Sequence, residues 1–136
     1  MQRATACGVA VGDVFVEADM PISPIELLQV VSEPTRLRIV NALAGAPLFV
    51  SDLQAILDLP QSTVSRHLAV MREQEIVHDT PVAQFVLYRI GRVNGPAGRL
   101  LDEILEAMRH DPSCRTERDR AVTRSRTHTR TRLSAG

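Results

Sequence analysis

Residues 59–77 read LPQSTVSRHLAVMREQEIV, and the apolar positions recur at helical spacing. Val64, Leu68 and Met71 share one face, while Ser62, Arg66 and Glu73 share the opposite one, with Thr63 and Ser65 on its shoulders. Upstream, SPIE (Ser23 to Glu26) is a capping box with Pro24 at the first helical position, which predicts a helix over 24–32. Ile25, Leu27, Leu28, Val30 and Val31 surround most of that helix. It should be buried on more than one side, and in so small a chain a partner subunit could supply the second side. SEPTRLRIVNALAG restarts a helix at Pro34, carries a stripe of Leu37, Ile39, Val40 and Leu43, and stops at Gly45 and Pro47. SDLQ (Ser51 to Gln54) is a second capping box and predicts a short helix through Leu57. LDLP breaks it, and Pro60 can open the next helix, the one of the 59–77 stretch, after a gap of about four residues, the spacing of a helix-turn-helix.

After Ile76 the periodicity changes. IVHD, a TPVA connection and QFVLYRI read as a β-hairpin, although TPVA lacks the Gly or Asn that would define its turn type. GRVNGPAG is a linker, and GRLLDEILEAMRH is an amphipathic helix with Leu100, Leu101, Ile104, Leu105 and Met108 on one arc. Residues 1–20 show no period and read as a flexible arm. Residues 21–110 form the folded unit, and 111–136 read as a polar, Arg/Thr-rich disordered tail. No internal repeat is present.

Composition narrows this picture. The chain has 136 residues, 44% hydrophobic and only 3% aromatic, so one domain with an aliphatic core is expected. Its net charge is zero but unevenly spread: residues 1–60 hold three Arg against seven acids, and residues 111–136 hold seven Arg against three acids. A neutral total argues against a protein that binds polyanions everywhere and leaves room for a local basic surface. No run reaches the ~18 apolar residues of a membrane helix. Acids at 13, 17 and 19 speak against a signal peptide, so the cytoplasm is the expected compartment. Two cysteines, Cys7 and Cys114, are too few for a disulfide framework.

A helix-turn-helix followed at once by a hairpin is a winged helix, mainly α with a β-hairpin wing. In such folds the second helix of the pair enters the major groove, its apolar side kept on the core. The hydroxyls of Ser62, Thr63 and Ser65 let a helix approach DNA closely, and Arg66 can pair bidentately with guanine. The competing reading is a plain surface helix. The order of caps, turn, helix and hairpin is what favours the DNA-reading one.

Those segments resemble the ArsR/SmtB family of bacterial regulators. SEPTRLRIVNALAG carries E-P-T-R-L-x-I, the next helix carries Q-S-T-V-S-R-H-L, and the hairpin ends Y-R-I, over about residues 25–108. The resemblance implies a homodimeric repressor, dimerising through its first and last helices, that binds a palindromic operator on double-stranded DNA and leaves it when an inducer binds. Carried over by position, Gln61, Ser62, Thr63, Ser65, Arg66 and His67 would face DNA, with Gln84 and Arg89 from the wing. His67 lies beside Leu68, and a packed, hydrogen-bonded core histidine is an equal reading. The family often has basic residues and Gly at the wing tip, where this chain has Thr80, Pro81, Val82 and Ala83.

The metal sites known in the family are not matched. The Cys-x-Cys of arsenic and cadmium sensors falls on Phe49 and Ser51, and the last helix lacks the zinc set, offering Arg92 and Asn94. Cys7 and Cys114 flank the first and last helices and could form a reversible disulfide or hold a soft metal ion or metalloid. That requires Cα atoms within about 7 Å; the bland alternative is two incidental thiols. No cofactor is otherwise implied. The tail reads first as a solvated end and second as a source of phosphate contacts that steepen salt dependence. An enzyme is not expected, because no nucleophile–base pair or phosphate-cradling loop is present. The alternative of a different class is a winged-helix protein-interaction module with little DNA affinity.

Overall fold

The computed structural model describes residues 22–135, with side chains to His128. The elements run α1 (Pro24–Val31), α2 (Pro34–Gly45), β1 (Leu48–Phe49), α3 (Val50–Leu57), α4 (Gln61–Glu73), β2 (Val77–Val82), β3 (Phe85–Ile90), α5 (Gly95–Met108) and α6 (Pro112–Ala135). The first capping box forms as written: Ser23 Oγ accepts the Glu26 N–H at 3.1 Å, and Glu26 Oε1 accepts the Ser23 N–H at 2.9 Å. On α1, Leu27, Val30 and Val31 are buried, while Ile25 is 70% and Leu28 46% exposed. The second box shifts. Helix α3 begins at Val50, so Phe49 rather than Ser51 is the N-cap, and Asp52 rather than Gln54 is the side chain that accepts the N-cap N–H, at 2.9 Å.

Helices α3 and α4 are joined by Asp58, Leu59 and Pro60, with Asp58 in the left-handed region at φ 58°. Val64, Leu68 and Met71 turn inward against Leu53, Ile56 and Leu57 of α3 and Ile39 and Val40 of α2, giving an aliphatic core.

The sheet has strand order β1-β3-β2, all antiparallel. The expected TPVA connection is corrected: Thr80, Pro81 and Val82 continue β2, and the chain turns at Ala83 and Gln84, with Ala83 at φ 57°. Pro81 fits because β2 is an edge strand, where a missing N–H costs no ladder bond. The short β1 pairs Leu48 with Tyr88 and Phe49 with Leu87, which ties the wing to the start of α3.

The largest correction concerns the tail. Residues 112–135, expected to be disordered, are helix α6, packed along α2, α3 and β1. Between Ala121 and the rest of the core the contact is apolar, but most of the attachment is polar. Arg38 Nε donates to Glu117 Oε1 at 3.2 Å. Buried Asn41 accepts two bonds from Arg118, at 3.1 and 2.7 Å, and donates to the Cys114 carbonyl at 2.8 Å. Gly45 admits the close crossing, since a Cβ there would lie 2.7 Å from the Arg118 carbonyl oxygen. The tail therefore lacks an apolar stripe because its partners are buried polar groups presented by α2 and α3. The expected arm, residues 1–20, lies outside the described residues.

Candidate nucleic-acid interface

Helix α4 carries two faces. Ser62 and Arg66 are exposed, with Thr63 and Ser65 half-buried beside them, in the first two turns. The break at Pro60 sets this start, because proline can begin a helix but cannot continue one. The core stripe fixes the rotation of the helix, so the small hydroxyls and the guanidinium project together from its outer edge.

Gln61 and Ser65 of α4 meet Gln84 of the wing turn across an open cleft of about 380 Å³. Phe49, Val50, Ser51 and Gln54 from the start of α3, and Phe85, Val86 and Tyr88 from β3, complete its lining. Among the described residues its lining holds no charged side chain. It is a concave surface flanked by amides and hydroxyls, with Arg66 exposed on α4 nearby. The wing tip is apolar, with Phe85 57% and Val86 37% exposed. Arg89 is exposed but is not drawn to the cleft; on a strand its side chain points to the face opposite Tyr88.

His67 is corrected from the group of outward residues. It is 9% exposed, and its Nδ1 accepts from Arg36 Nε at 3.3 Å. Arg36 Nη1 also donates to the Val30 carbonyl at 3.1 Å, so His67 links the reading helix to the junction of α1 and α2. Accepting at Nδ1 requires the neutral ring. Burial, with the charges of Arg36 and Arg66, lowers the His67 pKa despite the opposing pull of Glu33. In the unfolded chain the ring takes up a proton near about pH 6.5, and in the folded chain only below that. Stability is therefore retained above that value and falls as pH drops through it toward the folded pKa. Urea unfolding at about pH 7.5 and about pH 5.5 should show a larger loss for the unmodified protein than for His67→Gln.

The residue that sequence reading missed is Asp52. Its side chain is fully buried, yet its Oδ1 accepts from Arg124 Nε at 2.8 Å and is 2.7 Å from His128 Nε2, while Oδ2 caps Phe49. Burial acts to raise its pKa, but the hydrogen bonds from Arg124, His128 and the Phe49 N–H outweigh it and hold the carboxyl below its ordinary value. The ring of His128 stands edge-on to Phe49 at 5.4 Å, and Phe49 stands 6.0 Å from Phe85. Only the position of Asp52 three residues into α3 was visible in the sequence; its partners lie 72 and 76 residues away.

Cys114 sits in the first turn of α6, half-buried. Burial, then the hydrogen bond to and the charge of Asp111, push its thiol pKa up. The thiol is thus poor in thiolate, the form that ligates soft ions and attacks oxidants. Cys7 lies outside the described residues.

Comparison with known proteins places these features. Residues 33–79 match the profile of the bacterial regulatory proteins of the arsR family. The arsenical resistance operon repressor of Escherichia coli K12 is 35% identical over 104 residues, covering 75% of this chain and 83% of that one. Among solved structures, the transcriptional repressor BigR of Xylella fastidiosa is similar with a TM-score of 0.53 at 28% identity, over 61% of this chain and 80% of that one. A predicted DNA-binding transcriptional regulator from Escherichia coli gives 0.52 at 27% identity, over 78% and 95%. With the helix-turn-helix, the three-stranded wing and this degree of likeness, the chain belongs to the arsR family of bacterial regulatory proteins, DNA-binding transcriptional regulators of the winged-helix fold.

Proposed function

We propose that the protein is a homodimeric transcriptional repressor that reads a palindromic operator with one α4 helix per half-site and leaves it when an inducer binds. The observation that carries the reading is the outer edge of α4. There Ser62, Thr63, Ser65 and Arg66 project together, with Gln61 and Gln84 beside them, from a helix whose other face is locked in the core. Arg66 supplies the bidentate donor pair that guanine O6 and N7 accept, and the hydroxyls serve bases or phosphates. Arg89 is left to the outer face of the wing, where it can meet phosphate.

The dimer is supported by α1 and α5. These helices pack side by side, and Ile25 and Leu28 leave a large apolar area in water next to the partly buried Leu100, Ile104 and Leu105. Two copies joined there would set their reading helices about one DNA turn apart, ~34 Å. Sedimentation of the protein and of an Ile25→Asp/Leu28→Asp variant tests this. The variant should run as a monomer and bind operator at least tenfold more weakly, since a monomer engages one half-site.

For release, a thiol pair of Cys7 and Cys114, alone or with a soft ion, is one device, and the raised pKa of Cys114 weighs against it. The deciding experiment is fluorescence anisotropy on DNA selected from a random pool, with reduced and mildly oxidised protein. Selection of a symmetric site supports the repressor, and failure to enrich any sequence overturns it. Release on oxidation that Cys114→Ser abolishes would assign sensing to the thiols; indifference to oxidation would remove them.

A further inference from the structure

We infer that α6 is a second DNA-contacting element: Asp52 latches it along α3 so that its acid-free, Arg-rich end reaches the rim of the reading face and engages the phosphate backbone. This rests on the DNA-binding reading of α4.

The direction of α6 is set by three side chains. Arg120 donates to the carbonyls of Ala55 and Ile56, near the end of α3, at 2.9 and 3.1 Å. One and two turns later, Arg124 and His128 meet Asp52 at the start of α3. Helix α6 therefore runs antiparallel to α3, and its C-terminal end points past the start of α3. That start is where Phe49 lies, packed edge-on against His128 and lining the same cleft as Gln61, Ser65 and Gln84. The latch thus brings α6 within one aromatic ring of the residues that face DNA.

The charge along α6 is sorted to match. Its acids, Glu117 and Asp119, lie in its first half, and Glu117 is spent on Arg38. From residue 120 onward the chain has Arg120, Arg124, Arg126, Arg130 and Arg132 and no acid. Arg120 and Arg124 are committed to α3, whereas Arg126 is exposed. Arg130 and Arg132 follow on the same helix, within about 6 Å of rise beyond His128. A helix end rich in Arg and free of acids, whose axis is directed past the start of α3, fits a polyanion, and phosphate contacts of this kind raise affinity for all sequences alike.

The test is a salt titration of full-length protein on operator and on random-sequence DNA. It compares the unmodified chain with Arg126→Gln/Arg130→Gln/Arg132→Gln and with Asp52→Asn. The triple variant should bind both DNAs roughly tenfold more weakly at physiological salt and flatten the log–log slope by about 2 or more per protomer, with the operator-to-random ratio unchanged. Asp52→Asn should flatten the slope in the same direction by releasing the latch. If it does not fold, the triple variant, whose changes are on an outer helix end, carries the test. An unchanged slope in the triple variant overturns the proposal. A protein that binds DNA with a normal slope but no operator preference would overturn the assignment of α4 instead, and so the two failures are distinguishable.

Discussion

Replacing Asp52 with alanine lowers the free energy of unfolding by about 2–4 kcal/mol, the range expected when one member of a buried ionic cluster is removed and its partners are left behind. Three groups lose their acceptor at once: the Phe49 N–H, Arg124 and His128. The side chains of Arg124 and His128 are 39% and 38% exposed, so water recovers part of their hydration, which places the loss below that of a wholly buried pair. The Phe49 N–H recovers little, because it sits where β1 hands over to α3. Urea unfolding followed by circular dichroism measures the loss, and a midpoint within experimental error of the unmodified protein would contradict the account. The pH dependence follows from the lowered pKa of Asp52. Its contribution is present above the unfolded aspartate value of about 3.9 and is lost as pH falls through the folded one, so the variant and the unmodified protein should converge in acid.

Arg66→Ala is expected to weaken operator binding by about 1–3 kcal/mol per half-site, roughly five- to 150-fold, with little change in thermal stability. The stability part rests on exposure: Arg66 stands on the outer edge of α4, and no core contact depends on it. The affinity part rests on chemistry, since a guanidinium that reads guanine gives two parallel bonds that alanine cannot replace. Discrimination should collapse at the base it reads, while binding to random DNA falls only by one charge contact. Anisotropy titrations on operator, on single-base variants and on random DNA separate these effects. Equal losses on all three would reassign Arg66 to the phosphate backbone.

The two variants act on different layers of the molecule. Arg66 stands on the exposed outer edge of α4, and Asp52 at the joint that holds α3, the wing and α6 in register. In a double variant the loss of unfolding free energy should therefore be that of Asp52→Ala alone.

Local signals made most of the fold legible. Ser23, Pro24 and Glu26 start α1 because a capping box satisfies its own orphan N–H groups without help from elsewhere. Pro60 and the spacing of Val64, Leu68 and Met71 define α4 and its rotation, because an apolar stripe at helical period has only one way to face a core. The hairpin was also legible, but not its turn: Ala83 adopts a positive φ that its residue type does not advertise, and only pairing across β2 and β3 sets that register.

What tertiary structure alone decided is the fate of polar groups. His67 reads equally as a base contact or a packed ring along the chain. The arrival of Arg36 from 31 residues away makes it the latter. The tail shows no apolar period, and composition there argues for disorder. It folds onto the body because Asn41 and Asp52 offer buried acceptors to Arg118, Arg124 and His128. Hydrophobic burial leaves a periodic trace in sequence because it acts on every turn of an element. A hydrogen bond between side chains some 70 residues apart leaves none, because its geometry exists only once both elements are in place.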